Sequence, residues 1–339
     1  MQQRSTLIPV VIALLFLFFV VCPATHAAES QVISLKFSTL FPAMHKVALL
    51  KADWCKEVEK RTNGKVKVDF FPGAILTPPA QTYDNVVKGI ADIGETFASY
   101  TKGRFPLLEV IDLPLGYKTA TQGTRLANEF YKKFKPKELD GVKVLFLHTA
   151  GPQDIFAKKP ITKLEEIKGL KIRSTGTSAA IVLALGGAPV GMSMGEAYDA
   201  IARGVANGVV GPVEIIKGWK IGEVVSYGTI YGSRHTNAAF VIMNKNKWNA
   251  LPPDIQKIID QINEEFIEKQ AKLWDELDKE GADLLAQKGG KLVTLSKEED
   301  ARWKTALKPI LDEYVNNMKA KGLPGDEALK FCVEYLKAH

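Results

Sequence analysis

A long helical pattern in the C-terminal half constrains the fold of this chain more than any other feature. Pro252-Pro253-Asp254 marks a helix start, because proline is favoured at the first helical position. Apolar residues then recur at helical spacing with no helix breaker before Gly281: Ile255, Ile258, Ile259, Ile262, Phe266, Leu273, Trp274 and Leu277. The sequence therefore predicts one very long, stiff helix that packs against more than one part of the fold.

The N-terminal segment, residues 1–28, is predicted to be a secretory signal peptide. Arg4 supplies a positive charge, residues 7–21 are almost entirely apolar, and small residues follow in a cleavage zone. The apolar stretch falls short of the ~20 residues that span a bilayer. Cys22 leaves lipid attachment as an alternative, although Val21 precedes it where lipoprotein signals have a small residue. We expect an exported protein without a permanent membrane anchor.

Between this leader and the long helix, strand patterns alternate with helix patterns. Residues 32–38 and 65–71 alternate apolar and polar side chains as strands do, and residues 43–62 have helical spacing. A second series of strands and helices begins near Asp154. Such alternation is typical of α/β folds, and about 310 mature residues exceed one ordinary core. The sequence therefore predicts two α/β lobes.

No flexible linker or low-complexity segment separates the two lobes. We expect the chain to cross between them more than once and the long helix to span both, which favours hinge closure over independent domains. The predicted boundaries place residues 29–150 plus about 236–275 in lobe 1, and residues 151–235 plus about 276–339 in lobe 2.

The charge pattern excludes a nucleic-acid-binding protein. Removal of residues 1–28 takes away Arg4 and no acid, which lowers the formal net charge from +7 to +6. Basic and acidic residues are interspersed along the mature chain, without the basic stripe that binds nucleic acids. We expect no nucleic-acid partner.

Two cysteines, Cys55 and Cys332, remain after the leader. In an oxidising compartment they could form a disulfide, and two buried free thiols on helices are an equal alternative. Neither cysteine has CxxC or CxxH spacing, so the sequence gives no support for a metal site.

Motifs of catalysis are missing from the sequence. It contains no GxSxG, GxGxxG, GxxxxGK[ST] or HExxH pattern. Its histidines are scattered: His26, His45, His148, His235 and His339. We therefore expect a protein that is not an enzyme and that uses no cofactor and no metal.

Residues 169–178 carry the strongest signal for a ligand. A short apolar strand ends in Arg173, and small hydroxyl residues, Thr175 among them, lead into a helix. Unpaired N–H groups at a helix start and an arginine fork both suit a carboxylate. A surface salt bridge is the ordinary alternative for an arginine at a strand end.

Four segments occur in an order that resembles the DctP-type receptors of tripartite ATP-independent periplasmic (TRAP) transporters. They are Gly169-Leu-Lys-Ile-Arg173, Ala184-Leu-Gly-Gly-Ala-Pro189, Glu196-Ala-Tyr-Asp-Ala200 and Gly204-Val-Ala-Asn-Gly208. The resemblance extends over essentially the whole mature chain. It implies a two-lobed fold similar to periplasmic binding proteins, with a hinge, in which Arg173 binds the carboxylate of a small organic acid. It also implies delivery of the acid to TRAP integral membrane subunits. We expect a monomer, and the predicted signal peptide places it in the periplasm.

Other cleft positions follow from the same resemblance. Glu95 and Phe97 lie in a first-lobe segment that faces the ligand, and Met194 falls where the pocket floor is apolar. Family members that bind sialic acid have a second arginine near Gln153 and an asparagine near Gly211, and both are absent here. The resemblance therefore disfavours a heavily hydroxylated sugar acid.

The chain departs from the family pattern after residue 206. Asn207-Gly208 replaces the usual Asp-Gly, and Gly211-Pro212-Val213-Glu214 and Trp219 follow. We interpret these residues as part of an unusually apolar pocket for a hydrophobic, aromatic or branched monocarboxylate. Core positions for Phe97, Met194 and Trp219, and a helix cap or lysine partner for Glu214, are the alternatives.

Three other functions are compatible with parts of this pattern. The receptor of an ABC importer and an extracytoplasmic sensor subunit would both use a two-lobed cleft. A periplasmic hydrolase is the alternative from another class, and it lacks the catalytic groups that it would need.

Overall fold

A computed structural model of the protein describes residues 32–339. The predicted signal peptide and Cys22 lie outside the described residues. Within the described part of the chain, no helix combines the length and the apolar character that a membrane crossing requires.

Eleven strands and eleven α-helices make up the described chain. The strands are β1 Ile33–Thr39, β2 Val66–Phe71, β3 Ile93–Phe97, β4 Val142–Thr149, β5 Asp154–Ala157, β6 Lys171–Arg173, β7 Ala188–Val190, β8 Gly208–Gly211, β9 Tyr227–Ile230, β10 Ala238–Asn244 and β11 Lys291–Thr294. The helices are α1 Lys46–Arg61, α2 Thr82–Val87, α3 Ala120–Phe134, α4 Leu164–Ile167, α5 Thr177–Ala184, α6 Met194–Ala202, α7 Ile215–Gly218, α8 Lys245–Ala250, α9 Pro253–Gln287, α10 Lys297–Ala320 and α11 Gly325–Ala338.

The strands form two mixed sheets, which confirms the predicted α/β class. The first sheet has the order β2-β1-β3-β10-β4, in which β10 is antiparallel to both of its neighbours. The second sheet has the order β11-β9-β5-β8-β6-β7. The chain crosses from the first sheet to the second through residues 150–153, returns between β9 and β10, and crosses again through α9 to β11.

Alternating side chains explain how the first sheet buries its faces. In β1, Leu35 and Phe37 are fully buried, whereas the alternate residues Ser34 and Lys36 are exposed. Leu35 and Phe37 share one hydrophobic cluster with Trp54 of α1 and Phe266 of α9. Burial of this face therefore fixes α1 and the first half of α9 on the sheet.

The long helix α9 contacts elements beside both sheets, as the sequence predicts. Its first part packs on α1, α3 and β4, and its last part packs on α7 and β11. The Trp54 indole N–H donates to Asn263 Oδ1 at 2.9 Å, and the Glu214 N–H donates to Asp278 Oδ1 at 2.9 Å. One continuous helix therefore joins the two sheets.

The helix continues through Gly281, where the sequence pattern placed the first possible breaker. A Cβ on residue 281 would lie only 2.2 Å from the carbonyl oxygen of Val213. Glycine at this position therefore lets α9 approach the backbone before α7, and flanking apolar residues keep the segment helical.

We expect Gly281→Ala to destabilise the protein by about 1–3 kcal/mol, because the added methyl group overlaps the Val213 carbonyl. The matched control is Gly195→Ala in α6, where the nearest atom to a new Cβ is 3.9 Å away. That change should stabilise the helix by up to about 1 kcal/mol. Urea unfolding of both variants checks the opposite signs; equal effects would contradict the contact at Val213.

The predicted lobe boundaries stay a prediction. Strands β1 to β4 and β10 of the first sheet, and β5 to β9 and β11 of the second, lie within the ranges assigned to their lobes. The last helix, α11, packs on α3 beside the first sheet, although residues after about 276 were assigned to lobe 2. An edge-to-face contact between the Phe331 and Phe134 rings, whose centroids are 5.7 Å apart, accounts for this position.

Both cysteines of the described chain are free and buried, Cys55 on α1 and Cys332 on α11. They belong to separate hydrophobic clusters. Of the two alternatives that the sequence leaves open, the structure contains the free thiols.

Candidate functional site

A cavity lies where residues from both sheets meet. The lining consists of Leu40, Phe41, Phe97, Ser99, Tyr100, Ala150, Gln153, Arg173, Thr175, Met194, Pro212, Glu214, Ile215, Trp219, Asn237 and Trp274. The lining comes from the loops after β1, β3, β6 and β8. The two connections between the sheets, residues 150–153 and the segment between β9 and β10, also contribute, as does α9.

Seven of the nine residues that the sequence singles out lie in this lining: Phe97, Gln153, Arg173, Thr175, Met194, Glu214 and Trp219. Glu95 and Gly211 do not belong to it. Glu95 points into the interior behind the cavity, and Gly211 pairs with Asp154 between β8 and β5. A Cβ on Gly211 would lie 2.6 Å from Ile215 Cδ1, so its role in the fold is close packing.

Arg173 ends β6 and is buried, with only 4 % of its surface exposed. Its Nε and Nη2 atoms donate to the carbonyl oxygen of Met192 at 3.1 and 2.9 Å, and Nη2 lies 3.5 Å from Tyr100 Oη. No Asp or Glu oxygen of residues 32–339 lies within 4.0 Å of the guanidinium. The surface salt bridge considered for Arg173 is therefore absent, and the buried guanidinium lines the cavity without an ion pair in the described part of the chain.

Aromatic side chains form one wall of the cavity. The ring of Phe41 lies 6.1 Å from Phe97, 6.0 Å from Trp219 and 5.9 Å from Trp274, measured between centroids. Tyr100 continues this wall at 6.5 Å from Phe97. The spacing suits edge and offset contacts with a further ring.

Glu214 is buried in the lining and pairs with His45, not with a lysine. His45 Nε2 lies 3.1 Å from Glu214 Oε2, and His45 Nδ1 accepts a hydrogen bond from the Val47 N–H at the start of α1. Because Nδ1 is an acceptor, the proton of the neutral ring resides on Nε2, which donates to Glu214. This hydrogen bond joins His45, which lies beside the first sheet, to Glu214, which follows β8.

Two further contacts bring the sheets together at the cavity. The Met194 N–H donates to Tyr100 Oη at 3.2 Å, and the Thr175 and Ser99 hydroxyls are 3.5 Å apart. Gly176 has a φ of +54°, and a Cβ there would lie 2.7 Å from Ser99 Cβ and 3.0 Å from Ser99 Cα. The backbones of Gly176 and Ser99 therefore lie almost in contact.

Behind the aromatic wall, Glu95 belongs to a buried ionic network. Its Oε1 atom lies 2.9 Å from both Lys51 Nζ and His148 Nε2, and Thr39 Oγ1 donates to Oε2 at 2.5 Å. Burial opposes ionisation of Glu95, but Lys51 and the hydrogen bonds outweigh it and hold its pKa at about 2. Burial lowers the pKa of Lys51, and Glu95 opposes that shift.

The network reaches the cavity through Trp274. The Trp274 indole N–H donates to His148 Nδ1 at 3.3 Å, so the His148 proton lies on Nε2 and is donated to Glu95. Burial lowers the pKa of His148, which keeps the ring neutral. Glu95 thus positions a wall of the cavity without lining it. Within residues 32–339, no three His, Cys, Asp or Glu side chains are grouped as metal ligands.

Several lining residues were not predicted from the sequence, among them Phe41, Ser99, Tyr100, Asn237 and Trp274. Ser99 and Tyr100 come two and three residues after Phe97, so their closeness in sequence to a predicted cleft residue could have identified them. Trp274 was assigned only to the apolar face of the long helix. Asn237 lies in the return crossover, and its Oδ1 atom is buried without a hydrogen-bond donor among the described residues.

Comparison with known proteins identifies what this architecture resembles. The sequence model of the bacterial extracellular solute-binding proteins of family 7, named DctP, matches residues 37–317. The outer membrane transporter protein TsaT of Comamonas testosteroni is 28% identical over 319 residues, which is 91% of this chain and 93% of TsaT.

Two solved structures give the same fold. A TRAP solute binding protein from Rhodoferax ferrireducens, in complex with copurified benzoate, has a TM-score of 0.85 and 27% identity, and the match covers 91% of this chain and 98% of that one. A marine metagenome TRAP solute binding protein from an unidentified microbe, specific for aromatic acid ligands and solved with 3-hydroxybenzoate, has a TM-score of 0.86 and 28% identity, with 91% and 99% covered.

Proposed function

The chain belongs to the DctP family, family 7 of the bacterial extracellular solute-binding proteins, and on this premise we propose that it is a receptor for an aromatic monocarboxylate. Proteins of this family are periplasmic, bind small organic acids and work with TRAP membrane subunits. We propose the same location and partners here, with residues 1–28 as the export signal and the receptor acting as a monomer.

The state of Arg173 is the observation that carries this proposal. A guanidinium with 4 % exposure has lost most of its hydration, and no described Asp or Glu oxygen lies within the 4.0 Å of a salt bridge. A carboxylate on the ligand would make two parallel, charge-assisted hydrogen bonds with it. Tyr100 and Thr175 lie beside Arg173 and are proposed to complete the carboxylate site.

The aromatic wall supports a ring as the remainder of the ligand. A charge-assisted hydrogen bond contributes about 1.5–3 kcal/mol, whereas micromolar affinity corresponds to about 8 kcal/mol. Burial of the ~150–250 Å² of a phenyl group at ~25 cal/mol per Å² contributes about 4–6 kcal/mol. Phe41, Phe97 and Trp219 are the proposed contacts of this ring, with Met194 and Gln153 at its edges.

Closure of the two lobes is proposed to couple binding with transport. The lining draws on residues next to both sheets, so the ligand gains its full set of contacts only when the sheets approach each other. Solved relatives that bind benzoate and 3-hydroxybenzoate support the ligand class.

We expect benzoate or a substituted benzoate to raise the thermal stability of residues 29–339 after unfolding and refolding to remove copurified ligand. A ligand at ~100 times its dissociation constant adds about 2.7 kcal/mol to the free energy of unfolding, a shift of several degrees at most. Thermal unfolding with benzoates, branched keto acids, C4 dicarboxylates and sugar acids measures this. Stabilisation by dicarboxylates or sugar acids alone would contradict the proposed ligand class.

A further inference from the structure

Glu214 places a second charge in a cavity that already contains Arg173. Its side chain is 2 % exposed, and the buried His45 ring occupies its Oε2 atom. Its Oε1 atom receives no hydrogen bond from residues 32–339, and it is not among the fully buried polar atoms that lack a partner. A ligand that closes the cavity would remove water from this oxygen, so the group that approaches it has to donate a hydrogen bond.

The sequence around Glu214 preserves its pairing with His45. A Cβ on Gly218 would lie 2.3 Å from Glu214 Oε2 and 2.5 Å from His45 Nε2, so a larger residue would displace one of the two. His45 is also fixed, because its other ring nitrogen accepts the Val47 N–H. The carboxylate is therefore held in one orientation before any ligand enters, which lowers the entropic cost of using it.

Asn237 adds a second acceptor to the same cavity. Its buried Oδ1 atom has no donor in the described part of the chain. Arg173 suits one carboxylate, whereas Glu214 repels a second carboxylate and favours a neutral donor. A ring with one carboxylate and one hydroxyl group satisfies Arg173 and one of the two acceptors, because a hydroxyl group has a single proton to donate.

We propose that Glu214, held by His45, is a specificity-determining residue that accepts a hydrogen bond from a hydroxyl group of the ligand and excludes dicarboxylates. The inference rests on the proposed function and narrows its ligand class to hydroxylated aromatic monocarboxylates. Arg173 binds the carboxylate that all such ligands share, and Glu214 recognises the hydroxyl substituent on the ring.

Isothermal titration calorimetry with benzoate and a series of substituted benzoates tests this assignment. The probes are benzoate, 3- and 4-hydroxybenzoate, isophthalate and terephthalate. In the wild-type protein, one hydroxybenzoate should bind at least about tenfold more tightly than benzoate, and the two dicarboxylates should bind more weakly than benzoate. Glu214→Gln should reduce the hydroxyl preference about tenfold and improve dicarboxylate binding relative to benzoate. The matched control is Glu276→Gln, an exposed carboxylate on α9, which should leave both ratios unchanged.

The outcomes separate this inference from the proposed function. If benzoate binds the wild-type protein as tightly as every hydroxybenzoate, or if Glu214→Gln leaves both ratios unchanged, the role of Glu214 is wrong while the receptor for aromatic acids stands. If 3-(aminomethyl)benzoate, a zwitterion, binds most tightly, Glu214 recognises a cation and the hydroxyl assignment is wrong. If no benzoate binds at all, the proposed function fails as well. If Glu214→Gln does not fold, the affinities of the wild-type protein for the ligand series decide whether the site prefers a hydroxyl group and excludes dicarboxylates.

Discussion

Replacement of Arg173 by alanine is expected to weaken the binding of aromatic monocarboxylates at least about hundredfold. The variant leaves the ligand carboxylate in a poorly hydrated cavity without a counter-charge, and removal of one member of a buried charge pair costs about 2–5 kcal/mol. Calorimetry with the best ligand of the thermal screen measures the loss.

Two matched variants identify the cause of this loss. Arg173→Lys keeps the charge but not the planar fork, and an intermediate affinity is expected from it. Arg203→Ala removes an exposed arginine from the end of α6 and should bind like the wild type. Unchanged affinity of Arg173→Ala would remove this residue from the site, and a large fall in its unfolding midpoint would indicate a role in folding.

Lys51→Met is expected to destabilise the fold by about 3–5 kcal/mol. Lys51 is 1 % exposed and is the buried cation that Glu95 contacts at 2.9 Å, so the variant leaves the Glu95 carboxylate buried without its partner. Urea unfolding followed by circular dichroism measures the change. Lys56→Met on the same helix is the control, because its ion pair with Asp53 is exposed, and it should change stability by less than about 1 kcal/mol.

The double variant Lys51→Met with Glu95→Gln should recover part of this loss, because no uncompensated charge stays buried. The pKa of Glu95 lies at about 2 in the folded protein, below its ordinary value of 4.5. Its stabilising contribution is therefore present above about pH 4.5 and is lost as the pH falls towards 2. The double variant should lack that part of the acid dependence. Equal stability of the single and double variants would contradict the ionic network.

The sequence could predict those elements whose pattern is long or regular. Apolar spacing predicts α1 and α9, and alternation predicts β1 and β2, because each of these segments buries one side against the rest of the fold. The short strands β7, β9 and β11 have three or four residues each, too few for alternation to be recognised. They form because neighbouring strands supply hydrogen-bond partners, which is a tertiary effect.

The candidate site was predictable to the extent that it follows local sequence. Arg173 stands out because a strand end, hydroxyl residues and a helix start follow one another there. Neither Trp274, which lines the cavity, nor His45, which contacts the lining residue Glu214, could be placed, since their positions depend on the packing of α1 and α9 beside the first sheet. Glu95 was expected to face the ligand, but the partners that draw it inward, Lys51 and His148, are distant in sequence.

The contact between Gly176 and Ser99 sets a limit on how closely the two halves of the molecule approach. Because the position of a Cβ on residue 176 lies 3.0 Å from the Cα and 3.2 Å from the carbonyl oxygen of Ser99, the neighbouring atoms are backbone and no rotamer change can relax this limit. We infer that ligands of different size are enclosed at the same opening angle, with water in any remaining space. A membrane subunit that recognises the outer surface would then respond to occupancy alone, and discrimination among solutes would be complete before the receptor docks.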